Sequence, residues 1–120
     1  MIHKHKPEVL VTGAGGSLAQ YVINELKKDY HVVLVDFRRR VQLDEGMSSY
    51  RVEYNKRGFE DIFRKHKLEA VIHLGRMGLY ESTHRNRYNH NVLGTQRLLD
   101  LCHKYDVRKV VVLSTYYVYG

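Results

Sequence analysis

Thr12-Gly13-Ala14-Gly15-Gly16-Ser17-Leu18-Ala19 has the composition and spacing to hold an anion. It follows the apolar run Val9-Leu10-Val11 and opens into a segment of helical periodicity. A glycine turn between strand and helix aims main-chain N–H groups at one point, and the helix N-terminus adds about half a positive charge there. A strict G-x-G-x-x-G reading from Gly13 fails, because it demands glycine where Leu18 stands. The spacing that fits is Gly13-x-x-Gly16-x-x-Ala19. In it Gly13 permits the tight turn, Gly16 lets backbone approach a pyrophosphate, and Ala19 is small enough for close helix–strand packing. Gly15, Ser17 and Leu18 complete the surface that would meet the phosphates. Asp36 closes the next apolar run, Val32-Val33-Leu34-Val35, where a carboxylate can accept hydrogen bonds from an adenosine ribose. Together these residues predict a dinucleotide cofactor. The acid repels a 2′-phosphate and so favours NAD. Arg38 and Arg39 could pair with that phosphate, which keeps NADP open. Arg40 reads as a solvated loop charge.

Such residues need elements to place them, and the chain alternates strand and helix patterns throughout. Strands are expected at 9–12, 31–36, 51–54, 70–74 and 109–114. Helices are expected at 17–28, with Leu18, Val22 or Ile23, and Leu26 in phase, and at 59–67, with Phe59, Ile62 and Phe63 on one stripe. Residues 41–49 read as loop. Residues 76–89 are part loop and part the start of a long helix ending near Tyr105, with Val92, Leu98, Leu99 and Cys102 facing inward. Alternation of this kind implies an α/β fold, a doubly wound parallel sheet of Rossmann-like order 3-2-1-4-5, expected to be truncated after strand five. The ligand belongs at the carboxyl ends of the strands, where the order switches between strands one and four. Residues 1–7 form a basic tail, and 8–120 are expected to be one dinucleotide-binding domain.

The bulk composition narrows the partners. The 120 residues are 43% hydrophobic and 28% charged, ordinary for a soluble globular chain. No apolar run approaches the roughly 18 residues a membrane span needs. The single cysteine, Cys102, reads as core, and with no internal disulfide to form it fits a cytoplasmic, reducing setting. A net charge of +7 invites nucleic acid. Only Arg38-Arg39-Arg40 clusters tightly, however, so neither nucleic acid nor membrane is expected as a partner. The eight histidines are scattered, with His84, His90 and His103 too far apart for one ligand face, so no metal is expected. His73 reads as a packed strand residue.

Four segments resemble the extended short-chain dehydrogenases/reductases, the NAD-dependent epimerases and dehydratases. The first is the glycine turn. Ala70-Val71-Ile72-His73-Leu74-Gly75 is similar to that family's V-I-H-L-A-A, Asn91-Val92-Leu93-Gly94-Thr95-Gln96-Arg97-Leu98-Leu99 to its N-V-x-G-T-x-x-L-L, and Ser114-Thr115-Tyr116-Tyr117-Val118-Tyr119-Gly120 to its S-S/T-x-x-V-Y-G. The resemblance implies roles. Asn55 falls where an acid often touches the adenine amino group, and an amide oxygen could accept the same bond. Leu74, Gly75 and Arg76 fall beside the cofactor, although Arg76 is larger than the usual residue. Asn91 would support the active-site region and Ser114 would contact cofactor. Thr115 would be the catalytic hydroxyl that binds the substrate oxygen during hydride transfer. Tyr116 and Tyr117 replace the Asp-Glu pair of sugar-nucleotide dehydratases, which argues against that reaction. No Tyr-x-x-x-Lys lies on a helix after strand five, so the chain alone is expected to be inactive. The resemblance thus implies the NAD(P)-binding portion of a nucleotide-sugar epimerase or related oxidoreductase, with a nucleotide-sugar substrate in a longer protein. A non-catalytic NAD(P)-sensing module and a homo-oligomer both stay open.

Overall fold

The computed structural model describes residues 6–37, 47–75 and 83–113. Among them the chain runs β1 (Glu8–Thr12), α1 (Ser17–Leu26), β2 (His31–Val35), β3 (Ser48–Tyr50), α2 (Arg57–Lys65), β4 (Leu68–His73), α3 (His84–Tyr88), α4 (Gly94–Lys104) and β5 (Lys109–Val112). A π-helical turn, Asn89–Leu93, joins α3 to α4. The strands form a parallel sheet ordered β3-β2-β1-β4-β5, the Rossmann-like order the alternation predicts.

The sheet is buried on both faces because β1 and β2 carry apolar residues at every core position. Side chains alternate across a strand. Leu10, Val33 and Val35 pack with Phe59, Ile62 and Leu98 on one side, while Val11, Val32 and Leu34 meet Ala19 and Ile23 of α1 on the other. Ile62 is 1% exposed in the first of these clusters. Ile62→Val should cost about 1 kcal/mol, with a fall in Tm of about 4 °C read by circular dichroism. An unchanged melt would mean that the α2 side is looser than its burial implies.

The ends of three strands are level. Thr12 pairs with Val35 on one side and His73 on the other. The residues that follow these strands therefore crowd together at one edge. At β5 the sheet leaves Val111, Val112 and Leu113 exposed.

Several expectations need correction. Strand three is not 51–54 but Ser48–Tyr50, whose main chain pairs with Val33–Val35. Two residues of the expected 41–49 loop, Ser48 and Ser49, thus belong to the sheet. Leu18, Val92 and Leu99 do not face inward, and each is more than two-fifths exposed. The buried stripe of α4 is Gly94, Leu98, Leu101 and Cys102. Boundaries of the remaining elements shift by one to two residues.

Candidate functional site

The glycine turn is built by three main-chain contacts. Gly13 has φ +66°, a left-handed conformation that costs a side-chain-bearing residue about 1–2 kcal/mol. Its turn closes with the Gly16 N–H donating to Gly13 O at 3.0 Å, and the Ala14 N–H donates to Val35 O at 3.1 Å. Gly13 lies against the chain leaving β4, since a Cβ there would sit 2.6 Å from Gly75 Cα and N. Gly16 then caps α1, and Ser17 and Leu18 stand exposed on the first turn of that helix.

Asp36 is tied to this turn. It is only 8% exposed, and its Oδ2 accepts the Gly15 N–H at 2.9 Å. Its own N–H donates to Tyr50 O at 3.1 Å, which fixes the carboxylate to the end of β3. The acid and the N–H array are thus held in one geometry before any ligand arrives.

Beneath the turn runs a buried polar chain. The Leu74 and Gly75 N–H groups both donate to Thr12 Oγ1 at 3.1 Å. The same hydroxyl meets the Tyr54 phenol, and His73 Nδ1 lies 2.6 Å from Thr12 Oγ1. The other ring nitrogen of His73, Nε2, lies 2.9 Å from Thr95 Oγ1, and the neutral ring's one N–H serves one of these two contacts while the other nitrogen accepts. His73 is neutral, its pKa pushed down to about 4 mainly by burial and secondarily by His90. It is indeed a packed strand residue, and it also clamps β1, β4 and α4 together.

The pKa of His73 fixes a pH dependence. Between pH 6.5 and pH 4 an unfolded chain protonates this histidine while the folded one does not. Stability is therefore full above that window, declines as pH falls through it, and levels off below, with a total contribution of about 3 kcal/mol. Urea unfolding across the window should show this decline in the wild type and a shallower one in His73→Asn. Equal slopes would refute the assignment.

Tyr54 is a site residue the sequence reading passed over. It is 4% exposed, and burial raises its pKa to about 12, with the Asp36 carboxylate adding and the Thr12 hydroxyl opposing. It is a neutral phenol at any ordinary pH. Its ring fills the space left by two glycines. A Cβ on Gly75 would run into Tyr54 Oη, and one on Gly94 would lie 2.5 Å from Tyr54 Cδ2. The ring also stacks on His90 at 4.8 Å, and His90 in turn meets Phe37 at 4.2 Å. The available signal was the glycine pair itself, Gly75 just beyond the end of β4 and Gly94 at the start of α4.

A cleft of about 580 Å³ opens beside these rings, lined by Phe37, Glu53, Tyr54 and Asn55 from the loops and by residues of α3, the π turn and α4. That volume suits a small organic ligand. Arg97 borders it, with Nε donating to Tyr54 O at 2.5 Å. The structure thus brings Gly13, Gly15, Gly16, Asp36, Leu74 and Gly75 to one edge of the sheet, with Asn55 in the adjoining cleft. Asn91 is partly buried in the π turn and does not line that cleft. Arg38, Arg76, Ser114 and Thr115 lie outside the described residues, as do Arg39, Arg40, Tyr116 and Tyr117.

Tyr-x-x-x-Lys spacing does occur once, at Tyr105 and Lys109. It joins α4 to β5 at the amino end of the sheet, away from the glycine turn. There the Tyr105 hydroxyl donates to Glu60 Oε2 at 2.8 Å, beside Lys104 Nζ at 2.8 Å. Those two hydrogen bonds, Lys104 first, hold the Glu60 carboxyl down at about 2. The pair ties α2 to the end of α4 and is structural.

A family model described as NAD dependent epimerase/dehydratase family matches residues 9–120. The chain belongs to that family. Among relatives of this epimerase/dehydratase chain, a UDP-glucose 4-epimerase of Dictyostelium discoideum is 30% identical over 129 residues, covering 93% of this chain and 37% of the relative. The solved structure of MoeE5 in complex with UDP-glucose and NAD is 35% identical, with a TM-score of 0.78, covering 94% of this chain and 38% of that one. UDP-glucose 4-epimerase from Bifidobacterium longum, solved with NAD+ and UDP, is 28% identical with a TM-score of 0.80, covering 94% and 38%. The epimerase/dehydratase chain described here therefore spans well under half the length of the relatives it matches. Among its described residues no helix is long and apolar enough to cross a membrane.

Proposed function

We propose that this chain is the NAD-binding part of a nucleotide-sugar epimerase or a closely related oxidoreductase. The observation that carries the reading is the Asp36–Gly15 hydrogen bond at 2.9 Å, which fixes an acid beside a left-handed glycine turn. The first main-chain N–H groups of α1, from Ser17 onward, would hold the pyrophosphate, because those of Gly15 and Gly16 are already given to Asp36 and Gly13. Asp36 would accept the adenosine ribose hydroxyls. The adenine would enter the cleft between Phe37, Tyr54 and Asn55, where the Asn55 amide can accept from an amino group. Gly75, which has no room for a side chain, would let the nicotinamide half pass over the end of β4.

Bound NAD would take a hydride from a substrate hydroxyl and return it, which permits epimerisation. The Thr115 hydroxyl would hold the reacting oxygen, with Ser114 and Asn91 supporting that region and Arg38 and Arg76 flanking the cofactor. The tyrosines at 116 and 117 favour epimerisation over dehydration. The family match and the NAD-bound relatives support this reading.

Calorimetric titration of the 120-residue chain with NAD and with NADP tests it. Saturable NAD binding, tighter than NADP, is the expected result. Binding of neither dinucleotide would overturn the proposal.

A further inference from the structure

At the opposite end of the sheet, Glu8, His31 and His66 converge from three separate elements. Glu8 begins β1, His31 begins β2 and His66 caps the C-terminal end of α2. Glu8 Oε1 lies 2.9 Å from His66 Nδ1 and 3.8 Å from His31 Nε2, and all three ligand atoms fall within 4.8 Å of one another. We infer that these three side chains form a binding site for a divalent first-row transition ion, Zn2+ foremost. Two imidazoles and one carboxylate match the donor preference of Zn2+.

The distances suit a metal nearly as found. Tetrahedral zinc with bonds of about 2.0–2.1 Å spaces its ligand atoms about 3.3 Å apart, which falls between the two separations from Glu8. His31 and Glu8 are 28% and 26% exposed, so an ion has a way in and water can fill the remaining position. His66 is 7% exposed and already held, with Tyr50 Oη 2.8 Å from its Nε2. With the metal on Nδ1, His66 Nε2–H donates to that phenol oxygen, the outer hydrogen bond that metal-bound imidazoles usually make. His31 Nε2 lies 3.2 Å from Ser48 Oγ, a contact it would exchange for the ion. The alternative is a metal-free Glu8–His66–Tyr50 hydrogen-bonded chain, in which the His66 Nδ1–H donates to Glu8 and Nε2 accepts from Tyr50. The two differ in one respect: only the first needs His31.

Titration of the chelator-stripped 120-residue chain with ZnCl2 separates them. The wild type should bind one Zn2+ per chain and gain thermal stability. His31→Gln and Glu8→Gln should each weaken binding by on the order of 100-fold, and Tyr50→Phe by about tenfold, as losses of a ligand and of its outer support do. A His3→Gln/His5→Gln double variant controls for the histidines of the N-terminal segment and should bind as wild type. Co2+ in place of zinc should give intense visible bands in the wild type that vanish in His31→Gln. Absence of stoichiometric binding, wild-type binding by His31→Gln and Glu8→Gln, or loss of binding in the His3/His5 variant would each overturn the site.

Discussion

Gly13→Ala should yield a chain that no longer binds NAD and unfolds about 2–5 kcal/mol more easily. Two costs add. The residue stands at φ +66°, where an L side chain is strained by about 1–2 kcal/mol. Its new methyl would also lie 2.6 Å from Gly75 N and Cα and 2.8 Å from the Leu74 carbonyl carbon. Those are main-chain atoms, and the N–H groups of both residues are fastened to Thr12. They cannot swing aside as a flexible side chain would, so overpacking adds about 1–3 kcal/mol. Any relief must come from the turn itself, which would re-aim the N–H groups at the start of α1. Gly16→Ala is the control for stability alone, because a Cβ there meets only Gly13 O at 3.3 Å and φ is −77°. Urea unfolding of both variants reads the contrast, and NAD titration of Gly13→Ala against the wild type reads the loss of binding. A Gly13→Ala chain with wild-type stability and affinity would show that the turn is not built as described.

Asp36→Asn should weaken NAD binding by on the order of 10- to 100-fold and shrink the preference over NADP. A hydrogen bond to an ionised group is worth about 1.5–3 kcal/mol, roughly twice its neutral counterpart. The amide keeps the shape of the carboxylate and can still accept from the Gly15 N–H. It loses the charge that grips ribose hydroxyls and repels a 2′-phosphate. Paired titrations of wild type and variant with both dinucleotides measure the change. If affinity for NAD is unmoved, the acid serves only to brace the turn.

The sheet order was legible because β1 and β2 are apolar at nearly every position, and such strands tolerate only a doubly covered parallel sheet. Gly13, Gly16 and Asp36 were legible for a different reason. Their roles depend on backbone freedom and charge at fixed offsets from a strand end, which spacing alone reveals. Strand three was misplaced because Val52 and Tyr54 carry the hydropathy. Those residues pack on the α2 side, while the pairing belongs to Ser48, Ser49 and Tyr50. Main-chain pairing leaves little trace in side chains as small as serine. The α4 stripe was misread for a related reason, since one of its inward positions is Gly94 and glycine has no hydropathy to show. The Glu8–His31–His66 cluster was invisible because each member comes from a different place in the chain: the sheet register pairs Glu8 with His31, and the end of α2 brings His66 beside them.

The Thr12 hydroxyl is shared among four partners, the Leu74 and Gly75 N–H groups, His73 and the Tyr54 phenol. It has nothing left to offer a guest. Whatever settles over the glycine turn is thus read at that point by peptide groups alone. Drift among the turn's amino acids would be filtered by bulk and chirality, and hardly at all by polarity.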